Sequence, residues 1–496
     1  MTRSFPPDFL FGAATAAYQV EGAAFEGGRT ASIWDAFSRH PGAVINADNG
    51  DIACDHYHRY RDDVALMREL GIGSYRFSTA WSRVRPDGAA VNPAGVDFYS
   101  RLVDELLGAG ITPWLTLYHW DMPQALEERG GWTNRDTVAR FVEYAATMHD
   151  ALGDRVNIWT TLNEPWCSSF LSYTAGAHAP GRQRVDEGIL AAHHLLLAHG
   201  ETVRELRGRD ASLQLGVTLN LTVADAVDPD DPADIDAARR IDGQFNRWFL
   251  DPIAKGAYPE DVAADFAAVD ADAVASWERA VRPGDLETIS ERLDFLGVNY
   301  YHGECVSGHA PAVPVPGGHA PTDRATSSPF PSHENIHWHD RGLERTNMGW
   351  EVQPDGLTRL LERVADDCPG VPLYVTENGM ASDDELVAGE VDDVDRAEYL
   401  RGHLRAVLDA IGNGVDVRGY FYWSLFDNFE WAWGYEKRFG IVHVDYGTQE
   451  RTIKASGREY QRIIRDRALD AVHRVPVAAG EAGILKSDER EGPDGR

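Results

Sequence analysis

Apolar runs rich in β-branched and aromatic residues recur along the chain at 9–18, 73–81, 112–120, 157–165, 214–220, 294–301, 373–379 and 417–427. Each has the length of a buried strand. Between most of them lie stretches with apolar residues three and four apart, such as Tyr60-Val64-Met67-Leu70 and Phe98-Leu102-Leu106, the spacing of one helix face. Gly71, Gly108 and Gly110 follow helical stretches, where a helix C-terminus favours glycine. Strand and helix thus alternate, with little room for an interdomain linker. Eight such repeats predict an α/β fold: a single (β/α)8 TIM barrel over 1–475 with extended βα loops on its C-terminal face, an open doubly wound sheet being the alternative.

Two stretches break the pattern. Residues 305–340 are rich in Pro, Gly, His and Ser and follow the sixth strand, which predicts a long rim loop. Residues 476–496 are polar and read as a disordered tail.

Charge narrows the function. The chain of 496 residues carries 47 basic against 79 acidic side chains, a formal charge of −32. It lacks the positive field that draws nucleic acid or anionic lipid, so a small-molecule partner is expected, with neither nucleic acid nor membrane; an oligomer is compatible with this reading. A dense carboxylate surface is also what adaptation to high salt would produce. No secretory signal is read at the N-terminus, and the default location is cytoplasmic. Cys54, Cys167, Cys305 and Cys368 are scattered without a Cys-x-x-Cys pair and read as reduced packing residues.

The active site of such a barrel is built from the carboxyl ends of its strands. Here these carry Gln19 and Glu21, Arg76, His119-Trp120, Asn163-Glu164-Pro165-Trp166, Asn299-Tyr300-Tyr301, Thr376-Glu377-Asn378-Gly379, and Trp423 running on to Glu430-Trp431. None of these ends forms a phosphate cradle or a metal cluster, so no cofactor and no metal are expected. Two glutamates among amides, imidazole and indoles are instead the minimal equipment for cleaving a glycosidic bond. Indole faces suit the C–H faces of a pyranose, and Gln19, His119, Asn163 and Glu430 offer partners for its hydroxyls.

The blocks Phe9-Leu10-Phe11-Gly12-Ala13-Ala14-Thr15-Ala16-Ala17-Tyr18-Gln19-Val20-Glu21-Gly22, Tyr75-Arg76-Phe77-Ser78, Thr161-Leu162-Asn163-Glu164-Pro165 and Tyr374-Val375-Thr376-Glu377-Asn378-Gly379 resemble those of glycoside hydrolase family 1, the β-glucosidases and relatives. The resemblance spans about positions 5 to 470. It implies Glu164 as acid/base and Glu377 as nucleophile of a retaining exo-β-glycosidase acting on terminal β-D-glucosyl, and also galactosyl or fucosyl, residues of a β-glycoside or cello-oligosaccharide. The carboxyls of such a pair stand about 5–5.5 Å apart. It further implies Gln19, His119, Trp120, Asn163, Asn299, Glu430 and Trp431 as sugar contacts, Asn163 at the 2-hydroxyl, with Tyr301 on the nucleophile and Trp423 under the ring. Trp166 and Trp350 then wall the leaving-group site; Phe439 and His178 match less closely. Arg76 is expected to keep Glu377 ionised, and the charge of Glu430 to repel a 6-phosphorylated sugar.

Other readings remain at this stage: a transglycosidase on the same site, a non-catalytic sugar-binding barrel, or a metal-dependent hydrolase. For the last, His56-Tyr57-His58 has a suggestive spacing but lies at a helix start, so both histidines are expected to be exposed or capping. His193, His194 and His199 fall on a helical run and read as satisfied histidines. Trp34, Trp114, Trp132 and Trp248 read as packing residues.

Overall fold

All eight runs form strands in the computed structural model of the protein, which describes residues 3–312 and 324–469. They are β1 (Leu10–Ala14), β2 (Ser74–Ser78), β3 (Thr112–Tyr118), β4 (Ile158–Asn163), β5 (Gln214–Asn220), β6 (Phe295–Asn299), β7 (Leu373–Asn378) and β8 (Val417–Trp423). Every neighbour pair is parallel, and β8 pairs with β1, so the sheet closes into a barrel. Helices such as His56–Leu70, Pro93–Gly108, Asp136–Leu152 and Val185–Arg209 return the chain between strands. The open-sheet alternative is excluded.

All the predicted runs but 214–220 overshoot at their C-terminal ends. The run from 9 to 18 leaves the strand after Ala14 and turns into the short helix Ala17–Val20, whose four residues are all buried. The reason is general: the rim loops of this barrel are themselves buried under further loops, so apolar sequence continues past the last ladder bond.

The lower part of the barrel is filled with rings. Trp114 meets Phe295, Tyr374 and Phe421 edge-on at centroid distances of 4.8, 4.9 and 4.9 Å. Three of these four aromatics lie within the first three residues of their strands. Small residues make the space: a Cβ on Gly12 would stand 2.3 Å from the Phe421 ring, and one on Gly216 2.5 Å from the Phe295 ring. A packed floor leaves the polar side chains at the C-terminal strand ends as the walls of the mouth.

The rim is more ordered than a plain loop. Glu304–Ser307, at the head of the stretch 305–340, pairs with Ala224–Ala226 on one side and with His337–Trp338 on the other. Residues 313–323 and the expected tail at 476–496 lie outside the described residues. Beyond β8, the chain is tied down by buried charges. The ammonium group of Lys454 contacts Asp384 and lies 2.6 Å from Asp427, while Arg396 contacts Asp393 and lies 2.9 Å from Asp384. Asp427 also accepts from the Gly440 backbone at 3.0 Å.

The packing expectations hold for Trp34, Trp114, Trp132 and Trp248, all fully buried, and for the four cysteines, all buried and unpaired. The histidine pair on the first long helix needs a correction. His58 is exposed and bonded to Asp55, but His56 is 2% exposed, with Nδ1 2.7 Å from Asp63. Asp63 is in turn held by Arg451, so the imidazole braces a buried cluster under the β1 loop. Among the described residues no helix is long and apolar enough to cross a membrane.

Candidate active site

Glu164 and Glu377 sit at the ends of β4 and β7, and both strands slip register at those ends. β4 shifts against β5 between Thr160 and Asn163, and β7 shifts against β6 between Val375 and Glu377, which leaves Glu377 opposite Asn299. Such irregularities re-aim side chains into a barrel mouth. The backbone is strained there too: Trp120, Glu164 and Trp431 take left-handed φ values of 78°, 49° and 51°. A non-glycine residue costs of order 1 kcal/mol or more in that region and keeps it only where the surroundings impose it. The Glu164 N–H donates to the Thr218 carbonyl at 2.9 Å, which fixes the turn.

The two carboxyls have different neighbours. Arg76 Nη1 donates to Glu377 Oε1 at 2.7 Å, and the Tyr301 hydroxyl to Oε2 at 2.8 Å. Glu164 touches no cation: Asn299 Nδ2 donates to its Oε1 at 2.6 Å and the Cys167 thiol to its Oε2 at 3.1 Å. Asn299 also opposes the rise that burial gives the pKa of Glu377, so one amide acts on both groups. Its carbonyl accepts from Thr376 at 2.8 Å, which orients it. Asn163 is buried beneath them. Its Oδ1 accepts from Arg76 Nη2 at 2.6 Å and from Asn299 Nδ2 at 3.1 Å, and its Nδ2 faces His119 Nε2 at 3.1 Å.

These surroundings set the protonation states. Burial, and then the charge of Glu377, pushes Glu164 up to about 8. Glu377 is also raised, chiefly by burial, against the lowering effect of the Arg76 guanidinium. The bonded guanidinium and the tyrosine bond oppose that rise; on Glu164 the same guanidinium acts only from a distance and is the weakest of its causes. Glu430 is likewise pushed up to about 8, by burial and then by Glu377 and Glu164. Burial keeps His119 neutral, and burial and nearby carboxylates hold the Tyr301 hydroxyl protonated.

One cavity brings most of the predicted residues together. Glu164, Glu377, Tyr301, His119, Trp120, Trp166, Asn299, Trp350, Trp423, Glu430, Trp431, Phe439 and His178 line it. Arg76, Asn163 and Gln19 do not; they are buried behind it, Gln19 donating to Glu430 Oε2 at 3.3 Å and to the Phe429 carbonyl at 2.8 Å. The aromatic walls are built against one another, Trp120 on Trp431 at 4.5 Å and Trp423 parallel to His119 at 5.6 Å. Sequence reading did not assign to the site a further set of lining residues, including Cys167, Asn220, Thr222, Phe245 and His302. Phe245 packs on Trp166 at 4.5 Å and His302 stacks on Trp350 at 4.9 Å. Thr222 and His302 come from loops and Phe245 from a short π-wound segment, whose sequence carries no periodic signal. Asn220 and Cys167 had one, the first as the last residue of the fifth strand and the second as the third residue after Glu164.

Among the described residues, Asp231, Asp234 and His309 have a spacing that could hold a metal ion. They lie outside this cavity, and the two aspartates already accept from Ala233 N–H, Ser307 and Gly308 N–H.

A closed parallel barrel with two glutamates, one of them salt-bridged, facing an aromatic cup at its C-terminal mouth is the architecture of a glycoside hydrolase. The profile of "Glycosyl hydrolase family 1" matches residues 1–469, and the chain belongs to that family. It is 50% identical over 470 residues to a thermostable beta-glucosidase B of Thermobispora bispora, covering 94% of this chain and 92% of the relative. It is 47% identical over 481 residues to a bifunctional beta-D-glucosidase/beta-D-fucosidase of Bifidobacterium breve, covering 94% and 99%. Among solved structures, a psychrophilic beta-glucosidase of Micrococcus antarcticus superposes with a TM-score of 0.90 at 56% identity, over 94% of this chain and 98% of that one.

Proposed function

We propose that this family 1 hydrolase is a retaining exo-β-glucosidase that also accepts β-fucosides and β-galactosides, with Glu377 as nucleophile and Glu164 as acid/base. The observation that carries the assignment is the asymmetry of the pair: Arg76 and Tyr301 both bond Glu377, while Glu164 faces only an amide and a thiol. Substrates named by the relatives, β-glucosides and β-fucosides, suit the cavity's indole walls and scattered polar groups. Four buried, unpaired thiols fit a cytoplasmic location.

In the first half-reaction a Glu377 oxygen bonds to the anomeric carbon as the glycosidic bond breaks, and the Glu164 proton passes to the leaving oxygen. With Glu377 esterified its charge is gone, so the repulsion that raised Glu164 is relieved and its carboxylate can take a proton from water. That water attacks the anomeric carbon from the face the leaving group vacated, and Glu377 departs as a carboxylate. Two inversions give net retention. His119, Trp120, Asn299, Glu430 and Trp431 bind the glycone above Trp423, with Gln19 behind Glu430 and Asn163 behind His119 and Asn299, and Trp166, Trp350 and Phe439 flank the aglycone.

Glu377→Ala is expected to lose about 10⁴-fold or more in turnover of an aryl glucoside, with azide restoring cleavage to the α-glucosyl azide. A variant that keeps its activity, or gives a β-azide, removes Glu377 from this role. Glu164→Ala is expected to slow substrates with poor leaving groups by about 10²–10⁴-fold while sparing dinitrophenyl glucoside, since only the former need a proton. Equal losses across a leaving-group series would refute it.

A further inference from the structure

The carboxyl of Glu164 has two oxygens, and the structure gives them unequal partners. Asn299 Nδ2 donates to Oε1 at 2.6 Å, and its own carbonyl is fixed by Thr376, so the amide cannot turn its acceptor toward Glu164. Oε1 is therefore the accepting oxygen, and an acidic proton belongs on Oε2. The group 3.1 Å from Oε2 is Cys167 Sγ.

The thiol is held in place from three sides. Cys167 N–H and Ser168 N–H both donate to the Glu164 carbonyl, at 3.0 and 3.3 Å, so the turn after β4 stacks Cys167 over the glutamate. Cys167 opens the helical segment Cys167–Ala175, which has the wide π-type winding and is buried at every position. Such segments concentrate at functional sites. Asn220, at the end of β5, donates from Nδ2 to Sγ at 3.7 Å. That amide occupies one side of the sulfur and leaves the S–H pointing at Oε2.

We propose that Cys167 is a positioning residue for Glu164: its S–H donates to Oε2 whenever that carboxyl is ionised, and Asn220 aims it. This rests on the reading of Glu164 as acid/base. When Glu164 protonates the leaving oxygen, its carboxylate is created inside a buried site with only one N–H donor. The thiol supplies a second, and it remains a donor throughout, because burial and the neighbouring carboxylate keep it from ionising. The proton stays on sulfur at all stages. A hydrogen bond to the charged form favours that form, so the thiol lowers the pH at which Glu164 ionises relative to burial alone.

The test is the alkaline limb of kcat/KM against pH, which reports the acid of the free enzyme. Cys167→Val removes the donor at similar volume. Its alkaline limb is expected to move to higher pH by about half a pH unit or more. Cys167→Ser keeps a donor, and its limb is expected at or below that of the parent. Should the valine protein not fold, Cys167→Ala is read in the same way. Valine or alanine limbs that coincide with the parent's, or valine and serine limbs displaced together, would overturn the inference. A merely structural role would lower activity at every pH without moving the limb. The leaving-group series on Glu164→Ala separates the two levels: if it shows acid/base behaviour and the limbs still coincide, only the role of Cys167 falls.

Discussion

Three carboxyls, Glu164, Glu377 and Glu430, meet one guanidinium in a buried mouth, and burial and their mutual repulsion disfavour ionising all three. Arg76 bonds Glu377, and the other two are pushed up to about 8. Activity is expected to fall on the alkaline side as Glu164 loses its proton near that pH, though the limbs of the bell belong to the coupled cluster. The same shift sets a stability cost. A carboxyl raised in the folded state, from 4.5 to about 8 for Glu164, favours folding while it is protonated and opposes it as pH rises through the folded value. Glu164→Gln removes that opposition. Its melting temperature is expected to match the parent's near pH 5 and to exceed it increasingly toward pH 9, even as activity is lost. Melting curves at both pH values check this, and a variant less stable at pH 9 would contradict it.

At the scale of elements, the site depends on how strand ends and loops are fixed. The register slips in β4 and β7 that turn Asn163 and Glu377 inward arise from the closure of the sheet, and no pattern of types in Thr160-Thr161-Leu162-Asn163 announces them. The segment after β8, which carries Glu430 and Trp431, leans on the buried ions Lys454, Asp427, Asp384 and Arg396. Removing one partner of a buried pair leaves an uncompensated charge. Lys454→Ala is therefore expected to destabilise the protein by about 3–5 kcal/mol in denaturant unfolding. A loss below about 1 kcal/mol would mean the network is not what fixes that segment. The strands themselves were legible because apolar runs of strand length are bounded by turns. Their C-terminal ends were not, because burial under rim loops extends the apolar signal past the ladder, as at Ala17–Val20.

For the whole molecule, the formal charge of −32 dominates. Self-repulsion at long range is screened by salt, the Debye length falling from about 30 Å at ~0.01 M to about 3 Å at ~1 M, while buried pairs such as Lys454–Asp427 are screened little. The melting temperature is expected to rise by several degrees between those salt concentrations. A fall would mean that the surface ion pairs contribute more than the repulsion takes away.

The alternation of strand-length and helix-face patterns and the order of polar strand ends predicted the (β/α)8 barrel and its polar mouth, with an open sheet as the alternative, because periodicity and strand-terminal position are properties of the chain read in one dimension; the roles of the two glutamates came from the resemblance to family 1, and closure of the sheet from the structure. The partners of those glutamates were decided in three dimensions. That Asn299 bonds Glu164 from the end of β6, that a thiol three residues on covers one oxygen, and that Glu430 is pushed up by burial beside the other two carboxyls follow from which groups face one another once the barrel is closed and how deeply they are buried; the burial of His56 follows from how the first long helix packs under the β1 loop.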